Sequence, residues 1–227
     1  MSVTTDFTPF AETYDAGKPQ VVWTTLVADL ETPVSAVLKL AGGDPYGFLL
    51  ESVEGGEVRG RYSIIGLKPD VNWRCHGDQT EIDRAADTDS GSFAPCPAGA
   101  LQSLRDLIAE SRIELPEHLP PMAAGLVGYI GYDMVRLMEN IPDTCTDVLK
   151  VPDGMFVRPT VMAIFDSVKD VVTVVTPIWP KPEVTAAEAY ERACARVDAA
   201  VDAFDSGVPF QHARQETVEP LPEPKSN

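Results

Sequence analysis

The spacing of apolar positions predicts a first helix from Pro33 to Ala41. Thr32 precedes it as an N-cap, and Pro33 suits the first helical position because the N–H that proline lacks needs no partner there. Gly42 and Gly43 then favour a left-handed exit from the helix. The apolar side chains recur every three or four residues, the spacing of one helix face; they are Val34, Val37, Leu38 and Ala41.

Two further helices are predicted by the same spacing. One runs from about Ala98 to Ser111, with Leu101, Leu104 and Ile108 on one face. The other begins at Thr185, which stands three residues before Glu188 as in a capping box, and ends at about Ser206. Its apolar positions fall on one stripe, made of Tyr190, Ala193, Val197, Val201 and Phe204.

The clearest strands are Thr160–Phe165 and Val171–Thr176, which are apolar and rich in β-branched residues. The five residues from Asp166 to Asp170 join them, so a hairpin is predicted. Segments 54–57 and 83–97 are rich in turn-forming residues and are interpreted as a turn and a surface loop. Other short apolar or alternating segments predict strands at Phe48–Ser52, Tyr62–Leu67, Val71–Cys75 and Thr80–Ile82.

The segment from Ala123 to Asp133 is poor in charge and carries glycine at every third position, namely Gly125, Gly128 and Gly131. No Lys-Ser/Thr follows, and the run is too short to span a bilayer, so neither a phosphate loop nor a membrane packing motif fits. We interpret it as a buried strand that another backbone approaches closely.

Together these elements predict the α+β class, with mainly antiparallel β-sheets packed against about three helices. We expect residues 1–207 to form one folded domain. Residues 208–227 are rich in proline and glutamate towards their end, a composition typical of a solvated linker or tail.

The net charge of the chain limits the classes of partner that it is expected to bind. The chain has 18 Lys and Arg against 35 Asp and Glu, a net charge of −17. A surface this acidic repels phosphate backbones and anionic lipid headgroups, so we expect neither nucleic acid nor a membrane as a partner.

The cysteines and histidines do not have the sequence spacing that is typical of metal ligands. The cysteines are Cys75, Cys96, Cys145 and Cys194, and the histidines are His76, His118 and His212. We expect reduced thiols, ordinary histidines and no metal site. Because no signal peptide and no run of 18 apolar residues is visible, a cytoplasmic location is expected.

Direct evidence for chemistry is sparse, since no nucleophile elbow, zinc motif, Walker loop or dinucleotide fingerprint is present. Glu51 and Ser52 place a carboxylate beside a hydroxyl at the end of an apolar strand. Such a pair can hold the ammonium and carboxylate groups of a ligand, or it can simply face water at a strand edge. Arg61 is either a surface charge or part of an anion site or an interdomain contact.

Three stretches, read together, resemble the N-terminal half of the large subunit of anthranilate synthase, component I. They are Phe48–Ser52 followed by Gly60–Gly66, then Gly125–Arg136 with Glu139 and Pro142, and last the Phe165-Asp166 hairpin before the Thr185 helix. The opening segment Phe7–Phe10 and the helix start at Thr32-Pro33 also suit this family. The resemblance covers about residues 7 to 205.

The resemblance implies the following function. The family's enzyme uses chorismate and makes anthranilate and pyruvate, with Mg²⁺ and with ammonia that a glutamine amidotransferase subunit supplies. The reaction opens tryptophan biosynthesis, and tryptophan inhibits it. Residues 1–207 would then be the tryptophan-binding regulatory domain.

The resemblance also implies an effector site for tryptophan at Leu50, Glu51 and Ser52. Glu51 would hold the ammonium group of the effector, while Leu50 and Ile64 would line a slot for its indole ring. Arg61, Tyr62 and Ser63 are weaker candidates.

The family's large subunit is about twice as long as this chain, and its chorismate and Mg²⁺ residues lie in its C-terminal half. We therefore expect no catalytic residue and no cofactor on this chain, which alone would be inactive and would need a chorismate-binding catalytic domain as partner. It is either a piece of a longer protein or a regulatory half whose partner is encoded separately. The alternatives are the large subunit of aminodeoxychorismate synthase and a stand-alone amino-acid-binding module.

Overall fold

The computed structural model describes residues 3–54, 58–86, 92–120, 122–144 and 146–208, and within them eight strands form one sheet that four α-helices accompany. In chain order the elements are α1 (Phe7–Asp15), β1 (Gln20–Val27), α2 (Pro33–Ala41), β2 (Phe48–Glu54), β3 (Val58–His76), β4 (Gln79–Asp83), β5 (Ala94–Pro95), α3 (Ala100–Glu110), β6 (Val127–Ile130), a 3-10 helix (Tyr132–Leu137), β7 (Gly154–Asp166), β8 (Val171–Ile178) and α4 (Ala186–Asp205).

Two long strands, β3 and β7, form the middle of the sheet. They pair antiparallel from Tyr62 opposite Asp166 to Cys75 opposite Gly154. Pro69 lies opposite Pro159, and the register shifts immediately afterwards. Proline has no N–H to donate to the ladder and occurs in sheets mainly at edges and bulges, so the irregularity lies where the ladder is weakest.

This irregularity divides the sheet into two halves. On one side the strand order is β1-β8-β7-β3-β2, and on the other it is β6-β7-β3-β4-β5. Every pairing is antiparallel. The predicted α+β class with a mainly antiparallel sheet is therefore confirmed, with one more helix than expected.

The first half has apolar side chains on both faces. Helices α1, α2 and α4 cover one face, where Phe165 and Val174 meet Leu40 and Phe204. On the other face, Ile113, Leu115, Leu119 and Ala123 pack over Ile64 and its neighbours. A strand buried on both faces reads as a continuous apolar run, which explains why β7 and β8 were the clearest strands in the sequence.

The second half has its own core beneath α3. Trp73 is fully buried among Leu104, Leu107 and Met134. Its indole Nε1 donates to Ser103 Oγ at 2.8 Å, which satisfies the polar end of the ring.

Two helices begin as the sequence predicts. In α2, the Ser35 amide donates to Thr32 Oγ1 and the Thr32 amide to Ser35 Oγ. In α4, the Glu188 amide donates to Thr185 Oγ1, and the Thr185 amide donates to the Glu188 carboxylate. These reciprocal bonds satisfy amides that the first turn of a helix leaves without partners.

Other parts of the sequence interpretation were incomplete or wrong. Helix α1 and strand β1 were not predicted, although Phe10 and Tyr14 are spaced one helical turn apart and are both buried. The two strands expected at 62–67 and 71–75 are one continuous strand. Strand β5 lies within the segment interpreted as a loop, and the expected tail beyond Val208 is outside the described residues.

The expected buried strand from Ala123 to Asp133 is also wrong. Only Val127–Ile130 forms a strand, β6; it lies at an edge of the sheet, and Gly128, Tyr129 and Ile130 are exposed. The close approach of another backbone is confirmed, because a Cβ at Gly128 would lie 1.9 Å from Met155 O. The glycine spacing therefore predicted the close approach of another backbone correctly, but it did not predict whether the strand is buried.

None of the helices in the described ranges is long and apolar enough to cross a membrane. The three described cysteines, Cys75, Cys96 and Cys194, are free thiols. Burial and the nearby Asp153 raise the pKa of the Cys75 thiol to about 11, so this side chain stays protonated and unreactive at neutral pH.

Candidate functional site

The predicted effector residues lie on β2, at an edge of the sheet. Within the described part of the chain, β2 pairs only with β3. Leu50 is 41% exposed, and Glu51 and Ser52 are also exposed. An edge strand with exposed apolar and polar side chains can accept a ligand or a second protein surface.

The alternation of the strand sorts these residues onto two faces. Leu50 pairs with Ile64, whose face of the sheet is packed against Ile113, Leu115 and Leu119. Glu51 pairs with Ser63 on the opposite face, which the helices cover. The register of β2 shifts between Glu51 and Val53, so Ser52 lies at the irregularity. A ligand that contacts both Glu51 and Ser52 must therefore wrap around the strand edge.

Two glycines of β3 make room for side chains of β2. A Cβ on Gly60 would lie 2.4 Å from Ser52 Oγ, and a Cβ on Gly66 would lie 2.2 Å from Phe48 Cζ. Ser52 therefore shares the face of Gly60, and with it that of Tyr62 and Ile64. The structure brings Leu50, Ser52, Tyr62 and Ile64 to one face and places Glu51 and Ser63 on the other.

Arg61 is engaged in a bidentate ion pair. Its Nε donates to Asp166 Oδ1 at 3.0 Å and its Nη2 to Asp166 Oδ2 at 2.7 Å. The guanidinium carbon also lies 4.9 Å from the centre of the Tyr62 ring. The contact with Arg61 lowers the pKa of the Asp166 carboxyl, and the amides of Val168 and Lys169 lower it further. Arg61 thus ties the start of the β3–β7 ladder to the β7–β8 hairpin.

We expect the Arg61→Gln variant to lose stability at about pH 6 and to approach the parent protein at about pH 3. A carboxyl whose pKa is depressed by folding stabilises the protein above its unfolded pKa of about 3.9, and this contribution disappears as the pH falls through the folded value. Urea unfolding at the two pH values measures the difference. Arg105→Gln on the exposed face of α3 is the matched control; a pH-independent deficit for Arg61→Gln would contradict the assignment.

A large cleft that is lined by residues of both halves of the sheet was not predicted from the sequence. It has a volume of about 1040 Å³, and its apolar lining includes Val21, Trp23, Ile113, Leu126 and Phe156. The rings of Trp23 and His118 lie 5.3 Å apart near it. None of the six candidate residues lines this cleft. Trp23 in the β-branched segment Gln20–Val27 was the available signal, and it was missed together with β1.

The described residues contain no group of three or more His, Cys, Asp or Glu side chains placed to hold a metal ion. The exposed Glu51 and Ser52 of β2 offer a carboxylate and a hydroxyl, a set suited to an ammonium group and a hydrogen-bonding partner.

Comparison with known proteins gives a consistent set of relatives. The chain is 49% identical over 207 residues to "Anthranilate synthase component 1" of Cereibacter sphaeroides, a match that covers 91% of this chain and 41% of the relative. It is 37% identical over 196 residues to the protein of that name in Synechocystis, covering 84% of this chain and 37% of the relative. The protein of the same name in Thermus thermophilus is 39% identical over 157 residues, a match that covers 67% of this chain and 31% of the relative.

A solved structure, anthranilate synthase component I from Streptococcus pneumoniae, aligns with a TM-score of 0.49 and 18% identity over 81% of this chain and 37% of that one. No protein-family profile matches the chain. The chain spans about two fifths of the length of the first two curated relatives described.

Proposed function

Because this chain belongs to the family of anthranilate synthase component 1, we propose that it is the N-terminal, regulatory part of such an enzyme. The complete enzyme would convert chorismate, with ammonia from glutamine, to anthranilate and pyruvate as the first step of tryptophan biosynthesis. The observation that carries the proposal is the 49% identity over 91% of the chain, combined with the 41% share of the relative that this match covers.

In this proposal the chain binds an effector and does no catalysis. Mg²⁺ and chorismate would be bound by the remaining part of the enzyme, as the resemblance to the N-terminal half of the family's large subunit implies. The ammonia would come from a glutamine amidotransferase subunit. We place all of these steps in the cytoplasm.

The exposed edge at β2 supports a half-pocket for tryptophan. Leu50 is exposed and offers apolar surface to an indole ring, whereas its pairing partner Ile64 on the same face is buried. The Ser52 hydroxyl lies on this face as well. Glu51, on the other side of the same edge, would accept charge-assisted hydrogen bonds from the effector's ammonium group. Because this edge is open on one side, a second wall from the catalytic part would complete the pocket.

Inhibition follows if the two parts of the enzyme adopt two relative arrangements. A ligand shifts such an equilibrium only by as much as its affinity differs between the two states. A pocket built from both parts supplies that difference, because its walls approach each other correctly in one arrangement only.

We expect Ser52→Phe in the complete enzyme to raise the tryptophan concentration for half-inhibition by about tenfold or more, equivalent to about 1.4 kcal/mol of lost binding. The phenylalanine ring would occupy the space beside Gly60 that the effector needs, while catalysis elsewhere continues. Anthranilate formation measured against tryptophan concentration reports both effects. Ser92→Phe, at an exposed serine away from β2, is the matched control, and undiminished tryptophan sensitivity in Ser52→Phe would refute the site.

The activity itself is tested by product analysis of the complete enzyme. Anthranilate and pyruvate are the expected products, and aminodeoxychorismate would overturn the proposal. Calorimetric titration of the 227-residue chain with tryptophan separates the two roles of the chain. Weak or undetectable binding fits a half-pocket, whereas tight binding would identify a self-sufficient amino-acid-binding module.

A further inference from the structure

Exposed apolar side chains are concentrated in one region of the molecule. In the described part of the chain, nine large apolar side chains are more than half exposed to solvent. Three of them, Val27, Leu30 and Val168, lie near the turn between β7 and β8. The other six form what we call the β6 surface, and they are Ile130, Tyr132, Met138, Val148, Leu149 and Val151. Exposed apolar patches of this kind mark surfaces that another protein or domain covers.

The backbone that carries the β6 surface is anchored at both of its ends. Met134, in the 3-10 helix, is buried, and its sulfur accepts from the Cys75 thiol at 3.8 Å. At the other end, the Asp153 amide donates to Cys75 O at 2.8 Å. The Tyr129 hydroxyl links the two ends by donating to Pro152 O at 2.8 Å. The exposed apolar side chains therefore belong to a segment that is tied to the core of the second half of the sheet.

Two features of the backbone are also typical of a surface that a partner covers. Within the described part of the chain, β6 pairs only with β7, so its outer edge can accept a further strand. Among the described residues between Leu137 and Gly154, no helix or strand is present. An irregular segment of this length inside a folded domain is usually functional.

The large cleft described above adjoins the β6 surface. Leu126, which lines the cleft, immediately precedes β6, and Phe156, which also lines it, pairs with Gly128 of β6. The cleft alone has a volume of about 1040 Å³, at the upper end of the range for small-molecule sites. The two apolar areas together therefore suit a protein partner better than a small ligand.

The remaining part of the family's large subunit is the partner that fits this surface best. The matches to two relatives cover 41% and 37% of their length, so more than half of each relative lies outside the match. A second copy of this chain fits less well, because two chains that each carry a net charge of −17 repel one another. A separate subunit that associates reversibly would need a surface only about as apolar as the rest of the protein, whereas permanent interfaces are more hydrophobic.

We propose that the β6 surface is the docking surface for the catalytic part of the enzyme. This inference rests on the proposed function, and it adds to the half-pocket at β2 a second contact between the same two parts. The six apolar side chains leave water when the parts meet, which favours their association. Acidic residues outnumber basic ones in this segment, where Asp133, Glu139, Asp143 and Asp147 stand against Arg136 and Lys150. The opposing surface should therefore carry Lys or Arg at its rim.

Amide hydrogen exchange compares the complete enzyme with the 227-residue chain without any substitution. We expect the amides of Val127–Ile130 and of residues 146–151 to exchange at least about tenfold more slowly in the complete enzyme. The amide of Leu30, whose side chain is 94% exposed, should exchange at the same rate in both proteins. Equal exchange at the β6 surface in the two proteins would overturn the proposal.

Two matched variants identify the partner. Leu149→Asp places a charge in the β6 surface, and Leu30→Asp makes the same change at an exposed leucine elsewhere. Both should leave the urea midpoint of the 227-residue chain unchanged, because neither side chain is buried in it. In the complete enzyme, Leu149→Asp should speed exchange at the β6 surface at least about tenfold, because a carboxylate would have to leave water on docking. It should also lower the rate of anthranilate formation from free ammonia, whereas Leu30→Asp should change neither quantity.

Other results for Leu149→Asp would contradict the choice of partner. If anthranilate formation from glutamine fell and formation from free ammonia did not, the β6 surface would belong to the amidotransferase subunit. If the 227-residue chain were a dimer that Leu149→Asp dissociates, the partner would be a second copy. A complete enzyme that makes no anthranilate before any substitution would instead refute the proposed function, and the exchange comparison would still decide whether the β6 surface is covered.

Discussion

Replacement of Asp70 by alanine is expected to destabilise the fold by about 3–5 kcal/mol, the usual cost of removing one partner of a buried ion pair. Asp70 and Arg158 are both buried, with side-chain exposures of 8% and 6%. Two hydrogen bonds of 2.8 Å join them. Without Asp70, the guanidinium would keep its stacking on Trp179 and its long hydrogen bonds to Glu110 at 3.4 Å and Ser111 at 3.5 Å.

The position of this pair explains the size of the effect. Asp70 belongs to β3 and Arg158 to β7, beside the register shift at which the ladder between these strands is interrupted. Arg158 also reaches Glu110 at the end of α3 and stacks over Trp179 after β8. The ion pair therefore holds the two halves of the sheet together at a point where backbone pairing is weakest.

Urea unfolding at neutral pH measures the loss, and an exposed pair supplies the matched control. Arg74 and Glu81 pair at 2.7 Å with side-chain exposures of 36% and 41%. Glu81→Ala should cost no more than about 1 kcal/mol, because exposed ion pairs contribute little. If the two alanine variants lost the same free energy of unfolding, burial of the Asp70–Arg158 pair would not increase its contribution to stability.

A double replacement shows whether Asp70→Ala loses stability because a buried charge is left unpaired or because side-chain packing is lost. In Asp70→Leu combined with Arg158→Met no charge remains buried, and similar replacements elsewhere are neutral or stabilising. We expect the double variant to recover most of the stability that Asp70→Ala loses. If it is no more stable than Asp70→Ala, the loss comes from packing around Trp179 instead.

The parts of the fold that the sequence predicted are those specified by neighbouring residues. The capping box of Thr185 with Glu188 spans three positions, and the β7–β8 hairpin needs only the turn between Asp166 and Val171. The α2 boundaries follow from Pro33 and from Gly42, which adopts the left-handed conformation with a φ of 54°. Each is a local preference that tertiary packing reinforces.

The parts that could not be predicted depend on residues far apart in the chain. Arg158 and Asp70 are separated by 88 positions, and Arg61 and Asp166 by 105. Charge pattern alone does not select one pairing among so many acidic residues. The merging of 62–67 and 71–75 into one strand also requires β7 as a template, since Pro69 reads locally as a break.

In the candidate site, too, the local features were predicted and those that depend on distant residues were not. The sequence singled out Leu50, Glu51 and Ser52 on one strand, and the structure places all three at an exposed edge. Their division between two faces follows from the pairing of Leu50 with Ile64 and of Glu51 with Ser63, which needs the register of β2 on β3. Their assignment to tryptophan stays a prediction that Ser52→Phe tests.

Replacement of Gly128 by valine is expected to detach β6 from β7 and to destabilise the protein by about 3 kcal/mol, near the upper end of the cost of overpacking. A Cβ at this position would lie 1.9 Å from Met155 O and 2.7 Å from Phe156 Cα. Both are backbone atoms of the neighbouring strand, so no rotation of a side chain relieves the clash. The strand must instead move away and lose its four residue pairs with β7.

Urea unfolding and amide hydrogen exchange test this detachment together. The amides of Val127–Ile130 should exchange faster in Gly128→Val, whereas those of β8, which pairs with the other end of β7, should keep their protection. Gly207→Val is the control, because nothing lies within 4 Å of a Cβ at Gly207; its effect should stay within about 0.5 kcal/mol. Because Gly128 is exposed, a Gly128→Val variant as stable as this control would mean that β6 adjusts freely at the edge, and that glycine is not required there for the approach of β7.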